Sequence, residues 1–290
     1  MKKYLFIINP IAGHGKAMEI KPLIEEIMVK NQIDYEIVFT SKPKEATSIA
    51  SSSKYDVVVA VGGDGTINEV AAGLIDGDNK ILGIIPAGTG NDLSRSLNVP
   101  FSPKEAIELI LNGNTRKISI GDSNGHSFLN ISSVGFDVEV LINTESIRKK
   151  VKGKFAYVLG VIYTIFKFKK SKVTINIDDK IFDRNLLLLA VGNGKYYGGG
   201  MMIIPDANPY DEYLHVCLVK DINNLKALTL FPLIFKGQHL KYTEYVETYK
   251  AKNIKIINKS PSPLNIDGEI LEEESEINFK LNDRKISIIS

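Results

Sequence analysis

Three glycine-rich stretches follow apolar, strand-like segments in the first hundred residues. They run over residues 9–16 (NPIAGHGK), 62–66 (GGDGT) and 86–92 (PAGTGND). Glycine lets a backbone approach a ligand closely, and the N–H groups at the start of a following helix bind phosphate. One such stretch is as easily a tight turn. Three of them at the carboxyl ends of strands predict a nucleotide-phosphate site.

Two of these stretches also carry an aspartate, Asp64 and Asp92. A carboxylate beside phosphate is repelled unless a cation lies between them, and Mg²⁺ takes one or two carboxylates together with phosphate oxygens. The two residues therefore predict bound Mg²⁺, with helix N-capping as the alternative. The chain has no GxxxxGK[ST] motif, and its opening loop lacks GxGxxG, so neither a Walker site nor hydride transfer is favoured.

In the segments that would position these loops, the hydrophobic pattern alternates between that of a buried strand and that of a helix. Residues 4–8 form a continuous apolar run typical of a buried strand, and apolar residues then recur at helical spacing between positions 20 and 28. Further strands are predicted at 35–40, 56–61 and 80–86, with helices near 44–53 and 67–76. This half of the chain is predicted to be an α/β domain with a parallel sheet.

From about residue 115 the segments are mostly strand-like and are joined by turn residues, which predicts a β-rich, mainly antiparallel domain. Residues 154–168 and 222–236 are predicted helices, the second interrupted at Pro232. We expect domains at 1–120 and 121–283, with residues 284–290 returning to the first domain or staying with the second.

Composition narrows the class of protein. The 290 residues are 44% hydrophobic and carry a net charge of +2, so no nucleic-acid partner is expected. Cys217 is the single cysteine, which excludes an internal disulfide framework and a cysteine-cluster zinc site. The apolar run near the N-terminus is too short for a signal peptide, and no apolar stretch reaches the roughly 20 residues that span a bilayer. A cytoplasmic protein is expected.

The stretch VGGDGTINEVAAGL, together with GIIPAGTGNDLSRSLNVP, resembles the catalytic region of the diacylglycerol kinase family, in particular the soluble bacterial lipid kinases related to sphingosine kinases. GGDGT is shared with NAD kinases, and GTGND narrows the choice. The resemblance implies an N-terminal domain that binds ATP, a β-rich C-terminal domain, and an active site in the cleft between them.

The resemblance also assigns residues to ATP and Mg²⁺. Asp64 and Asp92 would form the catalytic network with Mg²⁺, and Arg95 would face the phosphates or lie on a helix surface. The residues expected to contact ATP are Asn9, Pro10, Gly13, Thr40, Gly62, Gly63, Asp64, Gly65, Thr66, Asn68, Thr89 and Asn91.

Residues 265–269 (NIDGE) resemble the family's DGE motif, which makes Glu269 the expected general base and Asp267 a supporting carboxylate. From the residues alone, Asp267-Gly268 is a hairpin turn and Glu269 belongs to an acidic run. Gly192 to Gly200 resembles a loop that faces the cleft, either a flexible lid or an ordinary hairpin loop.

Residues 205–213 are similar to the family's structural metal loop. In that reading Asp211 would bind Mg²⁺ with backbone oxygens of Asn208 and Tyr213. Glu212 stands where the family usually has glycine, which puts the geometry of the loop in question.

Residues 145–172 hold nine basic residues and the single acid Glu145, around an uncharged segment at 155–166. This pattern favours contact with an anionic membrane surface or a lipid-accepting groove, and a core helix with solvated ends is the alternative.

The sequence thus predicts an ATP- and Mg²⁺-dependent lipid kinase that converts diacylglycerol to phosphatidic acid. The alternatives are a kinase of another lipid alcohol such as a sphingoid base or phosphatidylglycerol, a kinase of NAD, or a regulator that binds nucleotide or lipid without catalysis. The oligomeric state stays open, a homodimer included.

Overall fold

The computed structural model describes residues 2–77, 80–148, 154–168 and 171–290. In the N-terminal half, strands alternate with helices. The strands are β1 (Tyr4–Ile8), β2 (Tyr35–Phe39), β3 (Val57–Gly62) and β4 (Ile81–Pro86), and the helices are α1 (Lys16–Glu19), α2 (Lys21–Lys30), α3 (Glu45–Ser52), α4 (Asp64–Leu74), α5 (Asp92–Ser96) and α6 (Pro103–Asn112), with a 3₁₀ turn at Ala12–Gly15.

These four strands form a parallel sheet in the order β4-β3-β1-β2. Every residue of β1 and β3 is buried, because apolar clusters cover both faces of the sheet. A side-chain cap marks the start of helix α6. Ser102 accepts a hydrogen bond from the Glu105 N–H at 3.5 Å, and Pro103 occupies the first turn of α6.

The C-terminal half is mainly antiparallel, and its helices lie between strands. Its strands are β5 (Thr115–Ser123), β6 (His126–Phe128), β7 (Ile131–Gly135), β8 (Ser171–Ile177), β9 (Lys180–Gly192), β10 (Tyr196–Tyr197), β11 (Met201–Met202), β12 (Leu214–Lys220), β13 (Val246–Ala251), β14 (Asn253–Ile266) and β15 (Glu269–Ile289). The helices are α7 (Phe136–Arg148), α8 (Lys154–Lys167) and α9 (Asn224–Ile234), with a 3₁₀ turn at Gln238–Lys241.

Strand β15 joins the two halves into one sheet. It pairs antiparallel with β14 and β5, and its last residues pair parallel with β4, with Ser287 opposite Ile81. The parallel N-terminal strands and the antiparallel C-terminal strands are therefore continuous through a single 21-residue strand.

Helix α8 forms over the predicted apolar segment and packs against α7. A Cβ added at Gly160 would lie 2.1 Å from Thr144 Oγ1, so glycine lets the two helices approach. Of the basic residues predicted to flank this segment, Lys149, Lys150, Lys152, Lys169 and Lys170 lie outside the described residues, as do the side chains of Arg148 and Lys154. No helix within the described ranges is long and apolar enough to cross a bilayer.

Candidate active site

The carboxyl ends of the parallel strands meet at one edge of the sheet. Main-chain hydrogen bonds hold the residues that follow them, from Asn9 N–H to Val61 O at 3.1 Å, from Thr40 N–H to Ile8 O at 3.0 Å, and from Ala87 N–H to Gly62 O at 2.7 Å. Along this edge lie most of the residues predicted to contact ATP, which are Asn9, Pro10, Gly13, Thr40, Gly62, Gly63, Gly65, Thr66 and Thr89.

Gly13, Gly63 and Gly88 allow backbone segments of these loops to pack closely. A Cβ on Gly13, whose φ is +59°, would lie 2.1 Å from Ala87 O, and one on Gly88 would lie 2.4 Å from Gly63 Cα. A Cβ on Gly65, as on Gly15, would meet no protein atom within 4 Å. The backbone of Gly65, in the first turn of α4, is thus the glycine backbone most open to a ligand on this helix end.

Two asparagines hold the glycine-rich loops, one by joining two of them and the other by bonding within its own loop. Asn9 Nδ2 donates to Thr66 Oγ1 at 3.0 Å, which ties the loop after β1 to helix α4. Asn91, at φ +53°, accepts from Gly88 N–H at 2.9 Å and donates to Gly88 O at 3.0 Å. Both side chains therefore shape the glycine-rich loops from within.

Asp64 and Asp92 converge beside Gly90. A Cβ built on Gly90 would lie 2.9 Å from Asp64 Oδ2 and 3.3 Å from Asp92 Oδ2. Asp64 Oδ1 accepts from Leu93 N–H at 3.2 Å, and Asp92 Oδ2 accepts from Gly199 N–H at 2.8 Å. The loop predicted to face the cleft thus contacts Asp92 directly.

The surroundings of Asp92 disfavour its charge. Burial raises the pKa of its carboxyl to about 6, and the nearby charge of Asp64 adds to the rise, whereas the Gly199 amide opposes it. Asp92 Oδ1 is buried and has no hydrogen-bond partner among the described residues. Arg95 Nε donates to Gly90 O at 3.3 Å and the guanidinium stacks over Phe101, so Arg95 holds the loop that leads into Asp92 and passes beside Asp64.

The DGE segment is a hairpin turn between β14 and β15, with positive φ at Asp267 and Gly268. The Asp267 carboxyl accepts three main-chain hydrogen bonds, from Leu129, Asn130 and Ile131 at 2.8–3.1 Å. Burial nevertheless raises the pKa of Asp267 to about 6. Both turn residues line the cleft together with Asn68, and the exposed Glu269 follows them.

A chain of polar side chains runs inward from this turn. Gly268 N–H donates to Asn265 Oδ1 at 2.9 Å, Asn265 Nδ2 donates to Ser133 Oγ at 2.9 Å, and Ser133 Oγ donates to Asp137 Oδ2. Asp137 is 6% exposed, and its Oδ1 has no hydrogen-bond partner within the described part of the chain. Burial raises the pKa of Asp137 to about 6.

Asp137 was not predicted from the sequence, and neither were the roles of Asn130 and Asn265. Asn130 Nδ2 donates to Tyr196 O at 2.6 Å. The main-chain carbonyl of Asn130 accepts hydrogen bonds from the N–H groups of Asn193 and Gly194. An asparagine or aspartate inside a strongly apolar strand-like run is the signal that would have pointed to these residues, because a buried polar group needs partners.

An apolar cavity adjoins the carboxylate-lined cleft, and Asp137, Tyr197 and Met201 line both. The remaining lining is almost entirely apolar and comes from α7, α8, α9 and the adjoining strands, including Val140, Val161, Ile165, Leu230, Phe231 and Ile234. The cavity reaches the cleft at a buried carboxyl group.

The loop predicted to hold a second metal is occupied by protein donors. Lys250 Nζ lies 2.7 Å and His215 Nε2 lies 3.1 Å from Asp211 Oδ2, and Tyr213 N–H donates to Asp211 Oδ1. Burial would raise the pKa of Asp211, but the Lys250 and His215 hydrogen bonds lower it overall. Both carboxylate oxygens of Asp211 are thus engaged by donors of the protein itself, and in this arrangement the loop does not fit Mg²⁺.

The edge of the parallel sheet, the carboxylates beside it and the adjoining apolar cavity fit an ATP-dependent lipid kinase, the class that the comparisons with known proteins support. Residues 3–123 match the diacylglycerol kinase catalytic domain, and residues 130–286 match the YegS C-terminal NAD kinase beta sandwich-like domain. The chain belongs to the diacylglycerol kinase family, and the predicted fold class is confirmed.

Relatives and solved structures agree with this assignment. A diacylglycerol kinase of Staphylococcus epidermidis is 33% identical, covering 92% of this chain and 86% of the relative, and one of Staphylococcus saprophyticus is 32% identical. The structure of a diacylglycerol kinase from Bacillus anthracis superposes with a TM-score of 0.74 at 26% identity, covering 99% of this chain and 96% of that chain. An NAD kinase from Archaeoglobus fulgidus in complex with ATP shares the fold, with a TM-score of 0.53 at 15% identity over 100% of this chain and 94% of that one.

Proposed function

We propose that this chain transfers the γ-phosphoryl group of ATP to the hydroxyl group of diacylglycerol. The observation that carries the proposal is the apolar cavity that shares Asp137, Tyr197 and Met201 with the carboxylate-lined cleft. A soluble acceptor such as NAD would need no apolar lining of this kind. The names of the curated relatives support diacylglycerol as the lipid.

ATP would lie along the sheet edge, with its phosphates at the first turn of α4. The open backbone at Gly65 leaves room for a phosphate oxygen, and the unpaired N–H groups of the helix start attract negative charge. Asn9 and Thr66 would hold the two loops at the spacing that the phosphates require.

Asp64 and Asp92 fit a divalent cation. Their carboxylates converge on Gly90, and Asp92 Oδ1 is buried without a partner in the described residues, which leaves a strong ligand atom available. Bound Mg²⁺ would neutralise charge on the phosphates during transfer. Arg95 would act by holding the Gly90 loop, rather than by touching phosphate.

The acyl chains would occupy the apolar cavity, and the lipid headgroup would lie beside Asp137 at its polar end. In the transfer, the lipid oxygen forms a bond to the γ-phosphorus, the bond to the ADP oxygen breaks, and Glu269 takes the hydroxyl proton. Glu269 follows directly on Asp267 and Gly268, which line the cleft, and it is exposed to solvent.

The exposed face of α8 would meet the membrane that supplies the lipid. Leu159, Ile162, Tyr163 and Phe166 are 40–63% exposed, whereas Val161 and Ile165 on the same helix are buried and line the cavity. One helix thus presents apolar side chains both to the cavity and to the outside. Anionic lipid would be attracted by the basic residues around this segment.

The test is a transfer assay with γ-labelled ATP, Mg²⁺ and mixed micelles that contain diacylglycerol. Parallel reactions contain a sphingoid base, phosphatidylglycerol or NAD, and Asp64→Ala is the inactive control. We expect label in phosphatidic acid with wild type alone. Label only in another lipid would replace diacylglycerol as the substrate, and label only in NADP would overturn the lipid-kinase proposal.

A further inference from the structure

The Asp211 carboxylate is held by two side chains from a neighbouring strand pair. His215 on β12 and Lys250 on β13 stand directly opposite each other in the antiparallel register. Because opposite residues point to the same face of a sheet, both side chains reach the loop that precedes β12. Lys250 Nζ also lies 4.7 Å from the centre of the Tyr213 ring. The ammonium group therefore lies between a carboxylate and an aromatic face.

Main-chain oxygens of the loop also have partners. Asn208 O, one of the two main-chain oxygens predicted to bind the metal, accepts from the Asp211 N–H at 3.3 Å, and Asp211 O accepts from Ser119 Oγ at 2.6 Å. Glu212, which stands at the position where glycine was expected, pairs with Lys285 at 2.8 Å. Two lysines thus neutralise two neighbouring carboxylates of the loop.

We infer that the ammonium group of Lys250 takes the place of the divalent cation in this loop. The positive charge that holds the Asp211 carboxylate is then supplied by a side chain of the protein. A bound Mg²⁺ ion at Asp211 would face an ammonium group that already lies 2.7 Å from the carboxylate. Lys250 is a positioning residue in this scheme, and the inference stands independently of the proposed lipid-kinase activity.

The loop matters because it connects the two halves of the protein. Ser119 on β5 donates its N–H to Pro209 O at 2.9 Å, and Tyr210 donates its hydroxyl to Ser290 Oγ at 2.9 Å. The Arg116 guanidinium stacks 3.5 Å from the centre of the Tyr210 ring. With Lys250 as the cation, this junction stays assembled without Mg²⁺, and a metal requirement is left to the reaction alone.

Two measurements on the nucleotide-free full chain test the inference. The first is anomalous diffraction from crystals grown with Mn²⁺, which locates bound ions without any variant. The second is thermal unfolding in EDTA of wild type, Lys250→Met and Lys250→Arg, with Lys252→Met as the matched control. Lys252 lies 5.5 Å from the centre of the same Tyr213 ring, whereas the ammonium group at 2.7 Å from Asp211 Oδ2 belongs to Lys250.

We expect no anomalous peak at Asp211 in wild type. Lys250→Met should melt about 2–4 °C below wild type in EDTA, while Lys250→Arg and Lys252→Met should stay within about 1 °C. A Mn²⁺ peak at Asp211 in wild type would overturn the inference, and so would a Lys250→Met melting temperature equal to that of Lys252→Met.

Discussion

Replacing Gly65 by alanine should separate the stability of the fold from the binding of ATP. Gly65 lies in the first turn of α4, and a Cβ at this position would meet no protein atom within 4 Å. Alanine is a better helix former than glycine by roughly 0.5–1 kcal/mol, so the folded state should be stabilised. The added methyl group would instead occupy the space assigned to the phosphates.

The expected sizes follow from the geometry. The gain in unfolding free energy should raise the melting temperature by roughly 1–4 °C for a chain of this length. Loss of close backbone approach to phosphate should raise KM for ATP at least tenfold, which corresponds to about 1.4 kcal/mol of binding free energy. Stability and nucleotide affinity should therefore move in opposite directions.

Gly73→Ala in the same helix is the matched control. A Cβ there would lie 2.4 Å from Thr47 O and 2.8 Å from the Ala50 Cβ, so helices α3 and α4 would be pushed apart. This variant should lose roughly 1–3 kcal/mol of stability and keep the KM for ATP. Scanning fluorimetry and initial-rate kinetics measure both quantities. An unchanged KM for ATP in a stable Gly65→Ala protein would refute the phosphate assignment.

Three further predictions concern the acceptor side and the carboxylates. Asp137→Asn, which keeps the shape of the side chain but removes its charge, should raise KM for the lipid about tenfold and leave KM for ATP unchanged in micelle kinetics. Phe166→Ser, at a 63% exposed position on α8, should weaken co-sedimentation with anionic vesicles several-fold while turnover of a short-chain, micelle-free lipid is preserved; equal sedimentation would count against membrane contact by α8. The affinity for Mn²⁺-nucleotide should fall as pH drops below about 6, the value to which burial raises the Asp92 pKa, as measured by calorimetric titration.

The nucleotide side of the molecule could be predicted because its signals are local. The strand predicted at 4–8 is a continuous apolar run, and those predicted at 56–61 and 80–86 are uncharged after their first residue. The structure places β1 to β4 within a residue of the strands predicted at 4–8, 35–40, 56–61 and 80–86. Parallel strands that are buried on both faces require such runs, and the loops after them lie at one edge. The sequence alone therefore predicts that Asp64 and Asp92 lie together.

Interactions that depend on strand register could not be predicted in this way. Lys250 contacts Asp211 only because β12 and β13 pair with His215 opposite Lys250, and a shift of one residue would turn that lysine to the other face. The chain from Asn265 through Ser133 to Asp137 likewise joins residues more than 120 positions apart. Helix α7 was missed because it starts directly after Gly135, whose φ is +108°, with no strand-to-helix loop in the sequence.

The raised carboxyl pKa values indicate what the cleft is built to bind. Asp92 and Asp267 have pKa values of about 6 in the folded protein, above the ordinary value of 3.8. A group whose pKa is raised on folding stabilises the protein fully below its unfolded pKa, and that stabilisation is lost as pH rises through the folded value. As pH rises from about 4 to about 6, the free protein should therefore lose the stability that these two groups contribute. A bound cation, in contrast, requires their charged form. A melting temperature that falls with rising pH, together with a cation-nucleotide affinity that rises, would show that these carboxylates destabilise the fold in the charged form that binds the cation.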